Sequence, residues 1–298
     1  MQSEEIEYYK KAGEVAARIK KEVLGIIKPG LPLLKLAEFI EQKIREYGCE
    51  PAFPPNISID DIAAHDTPRY ADERVIPEGS LVKIDLGVHF NGYIGDLAFT
   101  WCSEPREIIK ANEAVLEKAI QAIRPGVDIA EISALIQDTA REQGFGVIAN
   151  LTGHGLERYQ FHAPPSIPNV RTEASFRLEK GQVIALEPFL TEGGGWVKES
   201  GNCEIFRFQQ EKPVRLQESR QILKLAKEEW HGLPFAKRWL YSKISPVKLS
   251  LALKELEAVE ALESFPVLKE TSHKPVSQAE HTVIVLEKPL ITTWMKIS

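Results

Sequence analysis

Four acids stand in or beside apolar runs of this 298-residue chain, and any chemistry it performs is best sought there. Asp85 interrupts SLVKIDLGVHF, Glu187 interrupts GQVIALEPFL, Glu280 opens EHTVIVL and Asp96 closes NGYIGD. A carboxylate set into a hydrophobic strand is costly unless it is paired or on a metal. For any one acid alone, a solvated strand end explains the pattern equally well. Asn91-Gly92, between Asp85 and Asp96, is the strongest short signal for a two-residue hairpin, and a hairpin folded there carries both acids toward the same end. Close carboxylates repel unless a cation or a shared proton intervenes. Four oxygen donors joined by one imidazole suit two divalent ions such as Mn, Fe, Co or Zn, rather than a cysteine-rich structural zinc. Two such ions a few ångströms apart can share a water, lower its pKa into the neutral range and so hold a hydroxide nucleophile in place.

The elements that must position these acids come as a repeat. Residues 4–27 carry apolar residues at helical spacing and stop at Lys28-Pro29-Gly30; residues 32–47 do so and end at Gly48. The pattern returns over 106–123, stopping at Arg124-Pro125-Gly126, and over 128–143, ending at Gly144. IIKPGLPLLKLAEFIEQKIREYG (26–48) lies over AIRPGVDIAEISALIQDTAREQG (122–144) without a gap, with the Pro-Gly pair and the terminal glycine matched. That makes an internal duplication the better reading than two unrelated amphipathic helix pairs. It continues into strands: IPEGSLVKIDLGVHF (76–90) resembles LEKGQVIALEPFL (178–190), so Asp85 and Glu187 fall at equivalent places. Two half-domains would set these acids face to face across a pseudo-twofold axis.

The expected architecture is an α/β fold of one catalytic domain spanning 1–298. Its first half covers about 1–104, and its second about 105–212 with 263–298. Residues 213–262 have no counterpart in the repeat and read as an insertion of short helices over 217–231, 234–243 and 246–262. The strand-like QAEHTVIVL (278–286) then returns the chain to the core.

Composition narrows the class. A net charge of −6 and a pI near 5.8 argue against a nucleic-acid-binding face over the whole molecule. Cys49, Cys102 and Cys203 are an odd number with no CxxC, which fits a reducing compartment rather than a disulfide framework or a zinc ribbon. The polar start MQSEEIEYYKK shows no signal peptide, and no apolar run approaches the ~20 residues a bilayer span needs. A cytoplasmic monomer without membrane or specific nucleic-acid partners is expected. In the charge-rich insertion, Lys237, Arg238 and Lys243 are candidates for a transient ribosome contact.

The order Asp85, Asp96 after ten intervening residues, then His154, Glu187 and Glu280 resembles the methionine aminopeptidases, over essentially the whole chain. PAFPPNISIDDIAAHDTP (51–68) resembles the type II motif that introduces a substrate-side histidine. GHGLERYQFHAPPSIPNV (153–170) resembles the segment with the ligand histidine and a second active-site histidine. ALEPFLTEGGGWV (185–197) and QAEHTVIV (278–285) resemble the two glutamate strands. The insertion between them marks type II, and the lack of a long basic N-terminal extension resembles the compact archaeal form.

The resemblance implies a pita-bread fold: two pseudo-twofold-related halves around a central antiparallel sheet. It implies release of the initiator methionine from nascent chains whose second residue is small, by attack of a metal-bridging hydroxide on the first peptide bond. Two divalent ions, Co, Mn, Fe or Zn, would be held by Asp85, Asp96, His154, Glu187 and Glu280. Asp96 and Glu280 would bridge them. Glu187 would also take the water's proton, His162 would bond the scissile carbonyl and His65 would meet the substrate's nitrogen side. Phe53, Phe161, Phe189 and Phe265 match or lie near positions of the methionine pocket. His89, His231, His273 and His281 are read as structural. Against the usual type II pattern, Asp60 replaces an Asn and Asp66 a Tyr. Gly-Leu follows His154 in place of Ser-Ile or Ser-Val. A charge at Asp66 beside His65 would raise that imidazole's pKa.

Two other readings share the fold. A proline-directed prolidase or aminopeptidase P would carry a long domain before the repeat, whereas this chain starts directly at it. A non-catalytic binding protein would be expected to lack some of the five donors, all of which are present.

Overall fold

The Pro-Gly pairs end the helices where the spacing predicts. In the computed structural model, which describes residues 2–294, α1 (Ser3–Ile26) and α2 (Leu33–Glu46) flank the first pair, and α3 (Glu107–Ala122) and α4 (Ile129–Glu142) the second. Helix α1 buries Ala12, Val15, Ala16, Ile19 and Val23; α3 buries Ala111, Val115 and Ala119, each a stripe at three- and four-residue spacing. Their caps, Ile27 and Ile123, are both extended, at φ −65°, ψ 132° and φ −68°, ψ 123°. The duplication extends to hydrogen bonds: Gly30 N–H donates to Ile76 O at 2.8 Å, and Gly126 N–H to Leu178 O at 2.7 Å. Each bond ties a helix pair to the approach of the strand that carries an acid.

In the first half, β1 (Glu50–Pro51), β2 (Asn56–Ile59), β3 (Ile62–Ala64), β4 (Val82–Phe90) and β5 (Tyr93–Trp101) follow the helices. Strand β4 pairs with β5 along one edge and with β1 and β2 along the other. Phe90 faces Tyr93 across the hairpin, with Asn91 and Gly92 at φ +54° and +88°, as a type I′ turn requires. Alternation then sorts the side chains. Ile84, Leu86, Val88, Leu97 and Phe99 join Leu36, Ile40 and Ile44 in a core under α1 and α2, so Asp85 and Asp96 face the other way.

The second half contributes β6 (Gly146–Val147), β7 (Thr152–Glu157), β8 (Gln160–Pro168), β9 (Val183–Leu186) and β10 (Phe189–Thr191). The long β11 (Val197–Phe208) leads into α5 (Gln217–Glu228), β12 (Phe235–Ala236), α6 (Lys237–Leu240) and α7 (Pro246–Ala258). The chain returns through β13 (Leu262–Glu270), β14 (Val276–Gln278), β15 (His281–Ile284) and β16 (Leu290–Ile291). The ladders are antiparallel and run β16-β15-β9-β7-β8, β14-β10-β6 and β12-β11-β13-β3. Ile184 and Leu186 pack with Val115, Ile132 and Ile136 under α3 and α4, the counterpart of the first core.

Two stretches expected as single strands are each two. The run 178–190 divides into β9 and β10, and 278–286 into β14 and β15, because the shared ladder opens at one level on both strands. Leu186 pairs with His281 and Phe189 with Gln278, leaving Glu187-Pro188 opposite Ala279-Glu280. Pro188 has no N–H to give a ladder. Strand β5 runs alongside this opening and joins the halves. Asp96 N–H donates to Thr282 Oγ1 at 2.7 Å, Thr282 Oγ1–H to Asp96 O at 2.9 Å, and Glu280 N–H to Ala98 O at 2.9 Å.

Residues 234–243 are also not one helix. Phe235-Ala236 pair as β12 with Phe206 and Ile205 of β11, and only the single turn of α6 follows. Helices α5 and α7 enclose their own core of Phe206, Ile222, Phe235, Leu240, Leu249 and Leu256. No helix among the described residues is long and apolar enough to cross a membrane.

Candidate metal centre

The opened ladder and the β4–β5 hairpin point their acids into one cavity of about 470 Å³. Its walls include Asp85, Asp96, His154, Glu187 and Glu280, the histidines His65 and His162, and Phe53, Phe161, Phe189 and Phe265. Asp85 and Asp96 share a face of the hairpin because Asp85 is opposite Ala98 and Asp96 opposite Gly87. Asp96, His154 and Glu280 each offer a donor atom within 4.8 Å of the others. His154 Nε2 lies 3.5 Å from Glu187 Oε1 and 3.9 Å from Asp96 Oδ2. Asp85 and Glu187 are reached by one amide: Gln278 Nε2–H donates to Asp85 Oδ2 at 3.4 Å and to Glu187 Oε2 at 3.3 Å.

Four carboxylates so close together, Asp96 and Glu280 buried and Asp85 and Glu187 partly buried, are electrostatically unfavourable. Burial pushes Asp85 up to about 7. Burial, and then repulsion from the neighbouring acids, holds Asp96, Glu187 and Glu280 well above the ordinary carboxylate range. Among the described residues no lysine or arginine pairs with any of the four, and Asp85 Oδ1 and Asp96 Oδ1 are buried without a hydrogen-bond partner. Four carboxylates, two of them with an unsatisfied buried oxygen, and one neutral imidazole nitrogen among them fit divalent cations.

The histidines are held as neutral rings. Nδ1–H of His154 donates to Gly155 O at 3.1 Å, leaving the Nε2 lone pair toward the acids. Burial lowers the pKa of His154 to about 4. His65 repeats the device: Nδ1–H donates to Pro266 O at 3.2 Å, and burial lowers it to about 4. The cavity walls partly strip water from His162. They keep it neutral together with the neighbouring His154, His65 and Arg207. His162 stacks on Phe161 at 3.7 Å and meets the His154 ring edge-on at 4.5 Å. The glycines around His154 serve backbone approach: a Cβ at Gly153 would lie 2.5 Å from Ala185 O, and one at Gly155 2.1 Å from Pro164 O. They let β7 lie tightly between β9 and β8, which fixes where His154 sits.

Phe161 lies 5.9 Å, centroid to centroid, from both Phe53 and Phe265. Gly87 makes the room, since a Cβ there would lie 2.3 Å from the Phe53 ring. His281, read as structural, bonds Thr293 Oγ1 at 2.8 Å and does not line the cavity.

Two expectations are corrected. Asp66 does not raise the pKa of His65: its carboxylate is turned away and forms a two-point pair with Arg74, at 2.8 and 3.0 Å. Arg238 is not a surface cation; it is buried against Glu41 and Thr67. Of its two companions, Lys237 lies 3.8 Å from Glu204 and Lys243 3.3 Å from Glu229, so the three form no free basic patch. Gln278 and Asn56 line or brace the centre, and neither stands out in the sequence. Gln278 shares period-two spacing with Glu280, and Asn56 is the register partner of Asp85.

Comparison with known proteins identifies the family. Residues 7–219 match the model of metallopeptidase family M24. The chain is 47% identical over 287 residues to a methionine aminopeptidase of Thermococcus onnurineus, covering 95% of this chain and 97% of that one. A crystal structure of methionine aminopeptidase from Thermotoga maritima superposes with a TM-score of 0.72 at 24% identity, over 99% of this chain and 98% of the other. A thermophilic Arx1 does so with a TM-score of 0.85 at 16% identity, over 98% and 91%. The fold is thus the pita-bread fold of those structures, and the chain belongs to metallopeptidase family M24, among its methionine aminopeptidases.

Proposed function

We propose that this protein is a metal-dependent methionine aminopeptidase that removes the initiator methionine from nascent chains whose second residue is small. The observation that carries the reading is the meeting of Asp85 and Asp96 from one half with His154, Glu187 and Glu280 from the other, beside neutral His65 and His162 and an aromatic wall. Two divalent ions, of Co, Mn, Fe or Zn, are the group these donors suit. Bound there, they supply Lewis acidity and bring the ionisation of water into the neutral range.

The remaining steps belong to the chain's own side chains. Glu187 accepts the proton of the attacking water and delivers it to the departing amine. His162 donates to the scissile carbonyl oxygen as negative charge develops on it. Nε2 of His65, left as an acceptor by the bond from Nδ1–H to Pro266 O, takes the N–H on the leaving side. The thioether of methionine packs against the edges of Phe53, Phe161 and Phe265, a contact sulfur favours, with Phe189 behind them. An extra methylene discriminates by only ~1–3 kcal/mol, so selectivity rests on steric clash with branched or charged side chains rather than on fit alone.

In this reading residues 1–298 form one catalytic domain with 213–262 as its insertion. The protein works in the cytoplasm as a monomer, meeting its substrates at or near the ribosome without specific nucleic-acid or membrane contacts. The free thiols of Cys49, Cys102 and Cys203 agree with that compartment. The deciding measurement is methionine release from a Met-Ala-Ser peptide by the chain reconstituted with Mn, Fe, Co or Zn, with Ala-Pro peptides and Glu187→Gln as controls. No release with any of the ions, or release from Ala-Pro instead, overturns the proposal.

A further inference from the structure

We infer that Arg238, inside the insertion, is a positioning residue for His65, and that the insertion thereby takes part in catalysis. This deepens the proposed function and rests on the contact assigned there between His65 and the substrate.

His65 is a non-glycine residue at φ +62°. Such a conformation persists only where the surroundings over-determine it. Three ties surround it. Its Nδ1–H donates to Pro266 O, next in the chain to the cavity-lining Phe265. The next residue, Asp66, is pinned by Arg74. The residue after that, Thr67, is held from two sides: Arg238 Nη1–H donates to Thr67 Oγ1 at 2.6 Å, and the hydroxyl donates to Pro55 O at 2.8 Å. Arg238 Nη1–H also reaches Pro68 O at 3.1 Å.

The other arm of the same guanidinium pairs with Glu41 of α2, which also accepts from Trp239 Nε1–H at 2.9 Å. One planar fork therefore joins the insertion, the first-half helix α2 and the loop behind His65, which a lysine's single ammonium would not do. Arg238 and Glu41 are both more than nine-tenths buried at their side chains. A buried ion pair of this kind adds little net stability over an apolar pair and is better explained by the geometry it enforces. Two further contacts brace it. Tyr241 stacks on Tyr70 at 4.4 Å, and β12, ending two residues before Arg238, pairs with Ile205, which itself lines the cavity. A substrate-facing imidazole misplaced by about 1 Å can lose up to ~100-fold in rate, so a tie two residues away matters.

The test is a double-mutant cycle on the full, metal-loaded chain, reading kcat and KM for a Met-Ala-Ser peptide. Arg238→Met is expected to lower kcat/KM about 10-fold, mainly through kcat, but less than about 2-fold when His65 is already alanine. Thr67→Val, which removes only the accepting hydroxyl, is expected to repeat the pattern in milder form and serves if Arg238→Met does not fold. Hydrogen exchange in the metal-free chain is expected to quicken over 62–70 and not over 82–101. Equal losses in both His65 backgrounds, or no loss at all, overturn the inference while leaving the proposed function standing. Full activity of His65→Ala removes the role of His65 and overturns the inference alone, whereas a wild type inactive on Met-Ala-Ser overturns both.

Discussion

Asp85 and Glu187, the matched acids of the two halves, share a single side-chain donor: the amide of Gln278 reaches Asp85 Oδ2 at 3.4 Å and Glu187 Oε2 at 3.3 Å. One neutral group thus braces two carboxylates that would otherwise repel.

That bracing is measurable. Replacing Gln278 by leucine leaves both acids less well held before an ion arrives, and the expected consequence is a roughly 10-fold loss of divalent-ion affinity. Competition against a coloured chelator reads it directly. Unchanged affinity with an unchanged melting temperature would remove the bracing role.

Metal dependence should itself depend on pH. Asp85 is raised to about 7 in the folded chain, and the three neighbouring acids are raised as well. A carboxyl raised on folding contributes stability that is present below its unfolded pKa, near 4, and is lost as pH rises through the folded value. The metal-free protein is therefore expected to lose stability between about pH 4 and pH 7, so the rise in Tm on adding Mn should be larger at pH 7.5 than at pH 5. Calorimetry with and without the ion checks this, and Asp85→Asn should flatten the metal-free trend.

Gly87 is expected to tolerate no side chain. A Cβ at that position would lie 2.3 Å from the Phe53 ring, so Gly87→Ala must push the ring into the cavity. The expected outcome is a raised KM for methionyl peptides, with metal content unchanged. A wild-type KM would show that Phe53 does not shape the pocket.

Lys83 is a buried cation on β4, with its Nζ–H donating to Asp60 O at 2.9 Å. Burial lowers its pKa to about 7. The sign is that of a depressed base: the favourable contribution is complete above the unfolded value near 10.4 and is lost as pH falls toward 7. Lys83→Met is accordingly expected to melt above the wild type at pH 7, with the gap closing toward pH 10. Parallel pH-independent melting curves would contradict it.

The positions legible beforehand are those where local chemistry dominates. Pro29-Gly30 and Pro125-Gly126 stop helices by themselves, and Asn91-Gly92 turns a hairpin by itself. The alternation around Asp85 and Glu187 was readable because a charge inside an apolar run has few explanations. What was missed depends on partners remote in the chain. Nothing near Arg238 announces Glu41 or Thr67, so a buried cross-tie looked like a surface charge. Asp66 looked like a neighbour of His65 until Arg74 turned it away. The breaks at Glu187-Pro188 and Ala279-Glu280 were hidden by the apolar residues on either side, although Pro188 was a visible warning.

The division of donors between the halves has a thermodynamic consequence. Each half has its own helix-covered core, and in the proposed function neither alone holds a complete ligand set. Ion affinity and the docking of the two leaves are then linked equilibria. A substitution at the seam, such as Thr282→Val beside Asp96, should weaken ion binding without altering a ligand, and excess ion should in turn clamp a loosened seam shut.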